Sequence, residues 1–545
     1  MKTLKLKVSV LAGLIVLAVP FFIRSQESFI FEWAATYGGP SSNRDGPGAV
    51  ATDQAGNVYV AGGIAVSGWI FDLILIKYDN SGAQKWVSTY DYDGGSDSAG
   101  AMAIDSWGNI YVTGSSGNGL YSDYLTIKYD SSGNQLWTAR YSRSSNSYSG
   151  ASAIAVDSQG NAFVTGNSNG YATIKYDSLG NQLWVAHYNG PANSNDYAYA
   201  IALDSSGNIF VAGMSGGSGT NTDYATIKYD QNGKQLWAAR YNGPAKSIDD
   251  ARALAVDSDG NVSVTGSSRS LSGDSDFATV KYDRNGQFLW EARYTGSANS
   301  YDTARAIASD QDGNIYVSGS SGTGPSSDIV VIKYNNQGQE LWVTRYNGPG
   351  NGYDYAGRRI LLDSENNIYV PAASTGLGTL SDFVAIQLDP SGAFLREARW
   401  DSQTHLPESA SDMTFDPDGN IILTGVIMKS QMDWDIATAK FNVPIPPEKK
   451  ITIIKNTILS LSDDAFLPPA QERKNALINK LNAVLSMIEE MNYTEAILKL
   501  NDDILAKMDG FHGGIPQNDW IIDKSAQDLI YPKVLSLIND LEKKL

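Results

Sequence analysis

The apolar residues of this chain fall into short runs, separated by clusters of Gly, Asp, Asn and Ser. Four such runs follow one another in one representative stretch: Ala200–Leu203, Asn208–Ala212, Tyr224–Tyr229 and Gln235–Tyr241. Each run is rich in β-branched or aromatic residues, which favour strands. The segments DSSGN and DQNGK, between the first and last pairs of runs, hold the Gly and Asn that tight hairpin turns need. The pattern predicts four antiparallel strands in about 50 residues.

This pattern recurs along most of the chain. The motif Asp-x-x-Gly-Asn, or a variant of it, begins at Asp53, Asp105, Asp157, Asp204, Asp257, Asp310, Asp363 and Asp416. A nearly fixed step of about 50 residues is typical of supersecondary units that pack side by side. Eight four-stranded units predict an all-β, eight-bladed β-propeller over residues 29–442. The repeats are numbered 1 to 8 in chain order.

The last repeat lacks a fourth strand, because the chain runs into prolines after Trp434–Phe441. The segment Glu32–Tyr37 (EWAATY) aligns with the fourth strands of the other repeats. We therefore predict that this N-terminal strand completes the last blade and removes a free strand edge. One position of the fourth strand is shared by Trp33, Trp86, Trp137, Trp184, Trp237, Trp290 and Trp342, with Arg396 in repeat 7.

After the repeats the apolar period changes from two to about 3.6, which is typical of helices. A proline-rich linker is predicted at residues 443–449, and a small α-helical bundle at residues 450–545. The predicted helices are Ile451–Leu461, Ala470–Met491, a third that begins at the capping box of Asn492 and Glu495 and ends at Met508, and Lys524–Leu545.

The N-terminus predicts export. Lys2, Lys5 and Lys7 precede an apolar run from Val8 to Ile23, which is the pattern of a secretory signal over residues 1–25. An uncleaved N-terminal anchor is the alternative. The expected location is extracellular or in the cell envelope.

Charge and composition exclude several functions. The net charge of −18 argues against nucleic-acid binding, which needs a basic surface. The absence of Cys excludes disulfides and thiol catalysis. The three histidines, His187, His405 and His512, share no repeat position, so neither a histidine metal site nor a Ser-His-Asp triad is indicated.

The repeat, of the form A-x-A-x-D-x-x-G-N-x-Y-V-T-G…K-Y-D-x-x-G-x-x-x-W, resembles the bacterial SBBP β-propeller repeats and the delta-60 type. That resemblance implies a secreted or surface propeller, without a common activity. The element Asp130–Trp137 is also similar to the tryptophan-docking motif of quinoprotein propellers, which implies that each Trp packs on a neighbouring blade. The tail resembles the helical FIMAH modules of secreted proteins, which implies no function.

Two recurrent sets of carboxylates are the main candidates for chemistry. The first lies at the start of the first strand of each repeat: Asp45, Asp97, Asp196, Asp249, Asp302, Asp354 and Glu408, with Ser149 as the exception. The second precedes the third strand: Asp72, Asp123, Asp223, Asp276, Asp328, Asp382 and Asp435, with Gly170 as the exception. Because first strands line the channel of a propeller, we expect the first set to form an acidic ring at one mouth. Such a ring would attract cations or a basic partner, and Ca²⁺ prefers oxygen ligands.

A structural role for both sets is the alternative. Asp before a strand often accepts backbone N–H groups, and third-strand lysines could pair with one of the sets. The Asp-x-Asp-Gly-Asn copies at Asp257, Asp310 and Asp416 resemble half of a calcium loop, but a plain hairpin turn is favoured. The fourth-strand arginines, Arg140, Arg240, Arg293, Arg345 and Arg399, are predicted to protect strand edges.

The sequence thus predicts a secreted or cell-surface scaffold that binds a protein or surface polymer without catalysis. It is expected to be a monomer without cofactors, with Ca²⁺ as the one cation considered. An enzyme of the lyase or glycoside hydrolase type, with paired carboxylates at the channel mouth, is the alternative. A structural envelope protein is a third hypothesis. A quinone-dependent dehydrogenase is not favoured, because near-identical blades would leave no asymmetric site.

Overall fold

The computed structural model describes residues 28–41, 43–118, 121–144, 148–193, 196–296, 300–402, 404–510, 512 and 519–545. The predicted export segment, 1–25, lies outside these residues. The chain divides into two compact units, one ending at Val443 and the other beginning at Pro444. The first unit is built of strands and the second mainly of helices, as predicted. No helix among the described residues is long and apolar enough to cross a membrane.

Repeats 1 to 4 follow an N-terminal strand, β1 (Ile30–Tyr37). Repeat 1 comprises β2 (Gly46–Thr52), β3 (Val58–Ser67), β4 (Ile70–Tyr78) and β5 (Gln84–Tyr90). Repeat 2 comprises β6 (Ser96–Ile104), β7 (Ile110–Gly117), β8 (Ser122–Tyr129) and β9 (Gln135–Tyr141). Repeat 3 comprises β10 (Gly150–Val156), β11 (Ala162–Asn167), β12 (Tyr171–Tyr176) and β13 (Gln182–Tyr188). Repeat 4 comprises β14 (Asp196–Leu203), β15 (Ile209–Gly216), β16 (Thr222–Tyr229) and β17 (Gln235–Tyr241).

Repeats 5 to 8 continue the pattern. Repeat 5 comprises β18 (Asp249–Val256), β19 (Val262–Arg269), β20 (Ser275–Tyr282) and β21 (Phe288–Tyr294). Repeat 6 comprises β22 (Tyr301–Ser309), β23 (Ile315–Gly322), β24 (Asp328–Tyr334) and β25 (Glu340–Tyr346), with a 3₁₀ turn at Gly324–Ser326. Repeat 7 comprises β26 (Asp354–Ala356), β27 (Leu361–Leu362), β28 (Ile368–Thr375), β29 (Ser381–Leu388) and β30 (Phe394–Trp400). Repeat 8 comprises β31 (Glu408–Phe415), β32 (Ile421–Met428) and β33 (Trp434–Asn442).

The strands of each repeat pair antiparallel in chain order, which gives the unit many four-stranded sheets. A single parallel bridge, Ser275 to Tyr301, joins the sheets of repeats 5 and 6. In repeat 7 the first strand is broken into β26 and β27, and both pieces pair with β28. In repeat 8 the fourth position is taken by β1, which pairs antiparallel with β33 from Ile30–Asn442 to Tyr37–Ile436. The predicted pairing of the N-terminal strand with the last repeat is confirmed.

Each sheet is covered on both faces by its neighbours, which explains why the second and third strands are buried at nearly every position. In repeat 1, Val60 and Ile76 pack in one cluster with Ile422 of repeat 8. Tyr59, on the opposite face, packs in another cluster with Val112 of repeat 2. Successive side chains of a strand point to opposite faces, so a strand buried on both sides needs apolar residues throughout.

The fourth-strand tryptophans dock on the following sheet, as predicted. The indole N–H of six of them donates to the backbone oxygen of a residue in the hairpin turn between the third and fourth strands of that sheet: Trp33 to Asn80, Trp137 to Ser178, Trp184 to Gln231, Trp237 to Arg284, Trp290 to Asn336 and Trp342 to Pro390. These bonds are 2.9 to 3.2 Å long. The indole ring lies over the glycine of the same turn, so the turn has room for no side chain there.

Arg396 replaces this Trp because of how repeat 8 is built. The fourth strand of repeat 8 is β1, so no hairpin turn connects it to β33 and offers a glycine to an indole ring. Instead the Arg396 guanidinium lies 4.6 Å from the centre of the Phe29 ring, just before β1 begins. The exception in the Trp pattern therefore marks the place where the two ends of the repeat array meet.

The described residues of the second unit form four α-helices: α1 (Pro447–Ser460), α2 (Ala470–Glu489), α3 (Tyr493–Lys499) and α4 (Lys524–Glu542). A π-helical turn, Leu500–Ile504, and 3₁₀ turns at Leu505–Lys507 and Asp463–Ala465 complete it. Its core includes Ile454, Leu481, Leu500, Ile530 and Leu537. The side chain of Asn492 accepts the N–H of Glu495, which confirms the predicted cap.

The boundary of the helical unit differs from the prediction. The predicted linker, 443–449, extends into the first turn of α1, which begins at Pro447. Proline is tolerated in the first helical turn, because the N–H that it lacks has no intrahelical partner there. The predicted third helix, to Met508, is instead α3 followed by the π-helical and 3₁₀ turns.

The docking of Trp on glycine yields a stability prediction. A Cβ at Gly133 would meet the Trp86 ring at 2.9 Å, whereas a Cβ at Gly108 would meet nothing within 4 Å. Both glycines have positive φ, +86° and +80°. We expect G108A to cost about 1 kcal/mol for backbone conformation alone. G133A should cost roughly 2 kcal/mol more, because the indole must also move. Thermal unfolding of both variants measures this difference, and equal melting temperatures would contradict the docking role.

Candidate functional site

The first set of carboxylates is buried. Its seven members are exposed by at most 3%. Each accepts a backbone N–H from the loop that leads into its own strand: Gly39 to Asp45 (2.5 Å), Tyr92 to Asp97 (2.7 Å), Gly190 to Asp196 (2.9 Å), Gly243 to Asp249 (2.7 Å), Gly296 to Asp302 (2.6 Å), Gly348 to Asp354 (2.7 Å) and Ser402 to Glu408 (2.7 Å). These bonds hold the loop against the sheet. A cation-binding role for this set stays a prediction.

Burial changes the ionisation of several of these groups. Removal from water raises the pKa of Asp45, Asp97, Asp249 and Asp354 above the ordinary value, although the hydrogen bonds they accept oppose the rise. Burial has its clearest effect at Glu408, where it raises the carboxyl pKa to about 7.

The second set of carboxylates pairs with the fourth-strand arginines. The ion pairs are 2.7 to 2.9 Å long: Arg140–Asp123, Arg240–Asp223, Arg293–Asp276, Arg345–Asp328 and Arg399–Asp382. Four of these arginines also donate to a fourth-strand Tyr hydroxyl of the preceding repeat: Arg240 to Tyr188, Arg293 to Tyr241, Arg345 to Tyr294 and Arg399 to Tyr346. The predicted edge protection is therefore not what these side chains do. They tie each sheet to the one before it.

The third-strand lysines have a different partner from the one considered in the sequence. They pair with the Asp of the hairpin motif: Lys128–Asp105, Lys228–Asp204, Lys281–Asp257 and Lys440–Asp416. The same carboxylates accept the N–H groups of their own turns, as at Asp257, where Asp259 and Asn261 donate at 3.1 and 2.9 Å. The interpretation of these motifs as hairpin turns is confirmed.

A cavity of about 760 Å³ lies among the first strands of the repeats. Its lining comes from all eight repeats and includes none of the seven carboxylates predicted to surround a channel mouth. The lining instead centres on the residues that lie five positions before each hairpin Asp: Gly48, Gly100, Ser152, Tyr199, Arg252, Arg305 and Arg358, with Ser411 at the equivalent position in repeat 8.

A β-bulge presents this position to the cavity. The register of the first two strands shifts there in seven repeats, for example between Ala198 and Ala200 around Tyr199, and between Ala304 and Ala306 around Arg305. In repeat 7 the first strand breaks at this place, between β26 and β27. A bulge leaves one residue unpaired and turns its side chain away from the regular alternation. The side chain at the bulge is thus free to vary without disturbing the sheet.

The bulge position is markedly asymmetric. Repeats 8, 1, 2 and 3 have Ser411, Gly48, Gly100 and Ser152, whereas repeats 4 to 7 have Tyr199, Arg252, Arg305 and Arg358. The latter four residues are called the half-ring. The expectation that near-identical repeats would leave no asymmetric site is wrong, since the backbone repeats and the bulge side chain does not. Aligning the sequence at five residues before each hairpin Asp would have revealed this.

The half-ring carries excess positive charge. Arg252 forms an ion pair with Asp250, and Arg359, which also lines the cavity, with Asp412 at 2.9 Å. Among the described residues, no carboxylate lies within ion-pair distance of Arg305 or Arg358. Burial by the surrounding walls, together with Arg358 and Arg252, lowers the pKa of Arg305 below its ordinary value. The charges of Arg358 and Arg252 therefore both act unfavourably on the charged form of Arg305.

A second pocket, of about 390 Å³, adjoins the half-ring through Arg305. Hydroxyl groups of Thr303, Ser320 and Thr323 and the rings of Tyr301 and Tyr355 contribute to its lining. Tyr301 is 60% exposed and Tyr355 41%. The pocket combines hydroxyl groups, flat aromatic faces and one guanidinium, which can together recognise a polar ligand that carries an acidic group.

Other chemistry receives little support from the described residues. No group of three or more His, Asp or Glu in that part of the chain is arranged to hold a metal ion. His187 contacts the Tyr141 hydroxyl, His405 the carboxylate of Asp401, and His512 the ring of Tyr531. Asp412, in the cavity wall, is occupied by Arg359 and by the N–H of Val50.

The sheets and the repeat pattern together define a β-propeller repeat protein. The family model described as outer membrane protein assembly factor BamB matches residues 40–266 and 122–377. These two overlapping matches span more than half of the chain, and the chain belongs to this family. The narrower likeness to SBBP repeats and the FIMAH-like tail stay predictions.

Several solved structures of low sequence identity are similar to this chain over most of their own length. Sqt1 from Chaetomium thermophilum has 11% identity and a TM-score of 0.50, over 77% of this chain and 100% of its own. The Dos1 propeller has 11% identity and a TM-score of 0.48, over 76% of this chain and 96% of its own. Polysaccharide lyase Uly1 has 12% identity and a TM-score of 0.43, over 77% of this chain and 98% of its own. At this identity, the similarity to Sqt1 supports the fold alone. No curated protein matches the chain.

The raised pKa of Glu408 predicts a pH dependence of stability. The folded protein binds the proton of the Glu408 carboxyl group more tightly than the unfolded chain does. Glu408 therefore makes its full contribution to stability at pH values below its ordinary pKa of 4.5. That advantage is lost as the pH rises towards 7, because an ionised carboxylate must then stay buried.

We expect E408Q to gain stability relative to the natural protein by about 2 kcal/mol between pH 5 and pH 8. The glutamine oxygen can still accept the N–H of Ser402, which isolates the charge. Melting temperatures across this range measure the effect, with E340Q, a change at an exposed carboxylate, as the control. Parallel pH profiles of E408Q and the natural protein would show that Glu408 is not the group responsible.

Proposed function

We propose that this chain is an exported, non-catalytic β-propeller scaffold that binds its ligand at the cavity between the first strands. The observation that carries this proposal is the half-ring: the position that a bulge presents to the cavity carries Gly or Ser in four successive repeats and Tyr or Arg in the other four. Variation at residues that face a cavity is typical of a binding site placed on a rigid frame. The basic and lysine-rich N-terminal pattern supports export to the cell envelope or the extracellular space.

The proposed architecture is a closed ring of eight four-stranded blades, one for each repeat. Contacts between repeats 1 and 8 support closure: Val50 donates its N–H to Asp412 at 3.1 Å, and the Thr52 hydroxyl donates to the backbone oxygen of Phe415 at 2.7 Å. Trp33, on β1, docks on the Gly82 turn of repeat 1. Strand β1 thus belongs to the sheet of repeat 8 and packs on repeat 1, as a closing strand must.

Removal of β1 tests the closure. A chain that begins at residue 38 should melt at a lower temperature and aggregate, because β33 would become a free edge and Trp33 would be lost. A chain that begins at residue 28 keeps β1 and is the matched control. Addition of the peptide Ile30–Tyr37 should restore part of the stability of the shorter chain. Unchanged melting and a monomeric elution profile without β1 would contradict the closed ring.

The half-ring supports binding rather than turnover. Its side chains are cations and a phenol, and the one carboxylate in the cavity lining, Asp412, is engaged by Arg359 and Val50. Paired carboxylates with a water or a sugar between them, as a glycoside hydrolase needs, are not formed by the cavity lining among the described residues. A lyase that uses Tyr or Arg groups remains the alternative to test.

The expected behaviour is saturable binding without product formation. Purified chain is applied to arrays of polysaccharides and peptides, and each bound species is then incubated with excess protein and analysed by mass spectrometry. Recovery of intact ligand supports the scaffold, whereas release of shortened or unsaturated products would establish the enzyme alternative. The variant R284A, which changes an exposed hairpin-turn residue outside the cavity lining, should bind as the natural protein does.

A further inference from the structure

We propose that the half-ring and its adjoining pocket bind an acidic saccharide, with Arg305 and Arg358 holding its carboxylate or sulfate group. This inference rests on the proposed binding function and adds the chemical class of the ligand. It follows from three independent features of repeats 4 to 7: uncompensated guanidinium groups, hydroxyl groups in the pocket wall, and tyrosine rings at both ends of the half-ring, exposed in repeat 7 and half-buried in repeat 4.

The arginines supply the anion preference. Arg305 and Arg358 come from equivalent positions of neighbouring repeats, and both are exposed to the cavity. A guanidinium offers a planar fork of N–H donors that matches a carboxylate or a sulfate, and such charge-assisted bonds are stronger than neutral ones. Two guanidinium groups held close together without a counter-charge repel each other, and an anion between them removes that cost.

The repulsion between Arg305 and Arg358 destabilises the protein when no ligand is bound. Other arginines in the same wall are neutralised internally, Arg252 by Asp250 and Arg359 by Asp412. Carboxylates thus neutralise two arginines of this wall, Arg252 and Arg359. Among the described residues, none pairs with Arg305 or Arg358. The two unpaired groups mark where an external anion completes the charge balance.

The pocket wall supplies groups that suit hydroxyl-rich rings. Thr303, Ser320 and Thr323 lie beside Arg305, so hydroxyl groups are available within the same pocket as the guanidinium. A volume of about 390 Å³ accommodates one or two sugar rings next to the larger cavity.

Several tyrosines supply flat aromatic faces on which a sugar ring can pack. Tyr353 and Tyr355 stack at 6.1 Å with an interplanar angle of 12°, and Tyr197 and Tyr199 stack at 6.4 Å and 9°, at opposite ends of the half-ring. Tyr301, between these pairs, lies under the Arg269 guanidinium at 5.6 Å. A Tyr ring presents an apolar face and a polar tip, which suits a sugar ring with C–H groups on its face and hydroxyl groups at its edge.

The test uses isothermal titration of the purified chain with three probes: hexagalacturonate, the neutral maltohexaose, and inorganic sulfate. We expect hexagalacturonate to bind with an affinity that falls as salt is raised, and maltohexaose to bind at least tenfold more weakly. R305A and R358A should each weaken hexagalacturonate binding about tenfold, the size of a charge-assisted hydrogen bond. R305K should recover only part of the loss, because it restores the charge without the fork. Y301A should weaken both saccharides by a similar factor.

The control variant is R284A, which removes an exposed arginine from a hairpin turn of repeat 5 away from the cavity lining. Melting temperatures of all variants establish that they are folded. Equal binding of hexagalacturonate by the natural protein and the R305A/R358A double variant would overturn the proposal. Equal affinity for the acidic and neutral saccharides would also overturn it. A third contradicting result is tight sulfate binding that Y301A leaves intact, together with no binding of either saccharide. Array binding of an unrelated ligand would then leave the scaffold function standing without this ligand class.

Discussion

The structure depends on one contact that repeats from sheet to sheet: an indole ring lying on a glycine. The ring needs a flat, side-chain-free turn beneath it, and the turn needs a residue that accepts positive φ, so glycine satisfies both requirements at once. The same indole donates its N–H to the backbone of that turn, which fixes the distance between neighbouring sheets. The ion pair of a fourth-strand arginine with its Asp, and the bond to the preceding Tyr, add a second link at four of the junctions.

These links explain why the first strand can vary at a single position. Packing between sheets buries the second and third strands, where any change of volume disturbs two neighbours. The bulge residue of the first strand faces a cavity instead, so its replacement by Gly, Ser, Tyr or Arg leaves the packing intact. The repeats therefore share one backbone geometry, whereas the side chain at the bulge differs among them. The candidate site lies at this bulge position.

The sequence predicts the repeats, their four strands, the docking tryptophans and the pairing of Glu32–Tyr37 with the last repeat, because each leaves a periodic signal. It does not predict which partner each charge takes, since Lys, Arg and Asp recur at equal intervals and any pairing fits the period. One signal was present: repeat 3 has Gly170 and His187 in place of both an Asp and an Arg, so both members of that ion pair are missing together. The repeat pattern does not predict the half-ring, because the residues at that position differ between repeats and leave no periodic signal. Arg305 stands out only when the repeats are compared for their differences.

The pairing of β1 with β33 also bears on the order in which the molecule can be completed. Val50 and Asp412, which bond across the same junction, lie 362 positions apart. A chain made or exported from its N-terminus presents β1 first and its partner last, so β1 must stay unpaired, with its edge open, while all intervening repeats emerge. Contacts between such distant positions form slowly and leave strand edges exposed in the meantime. The strand that completes the sheet of repeat 8 is thus the one that waits longest for its partner during synthesis.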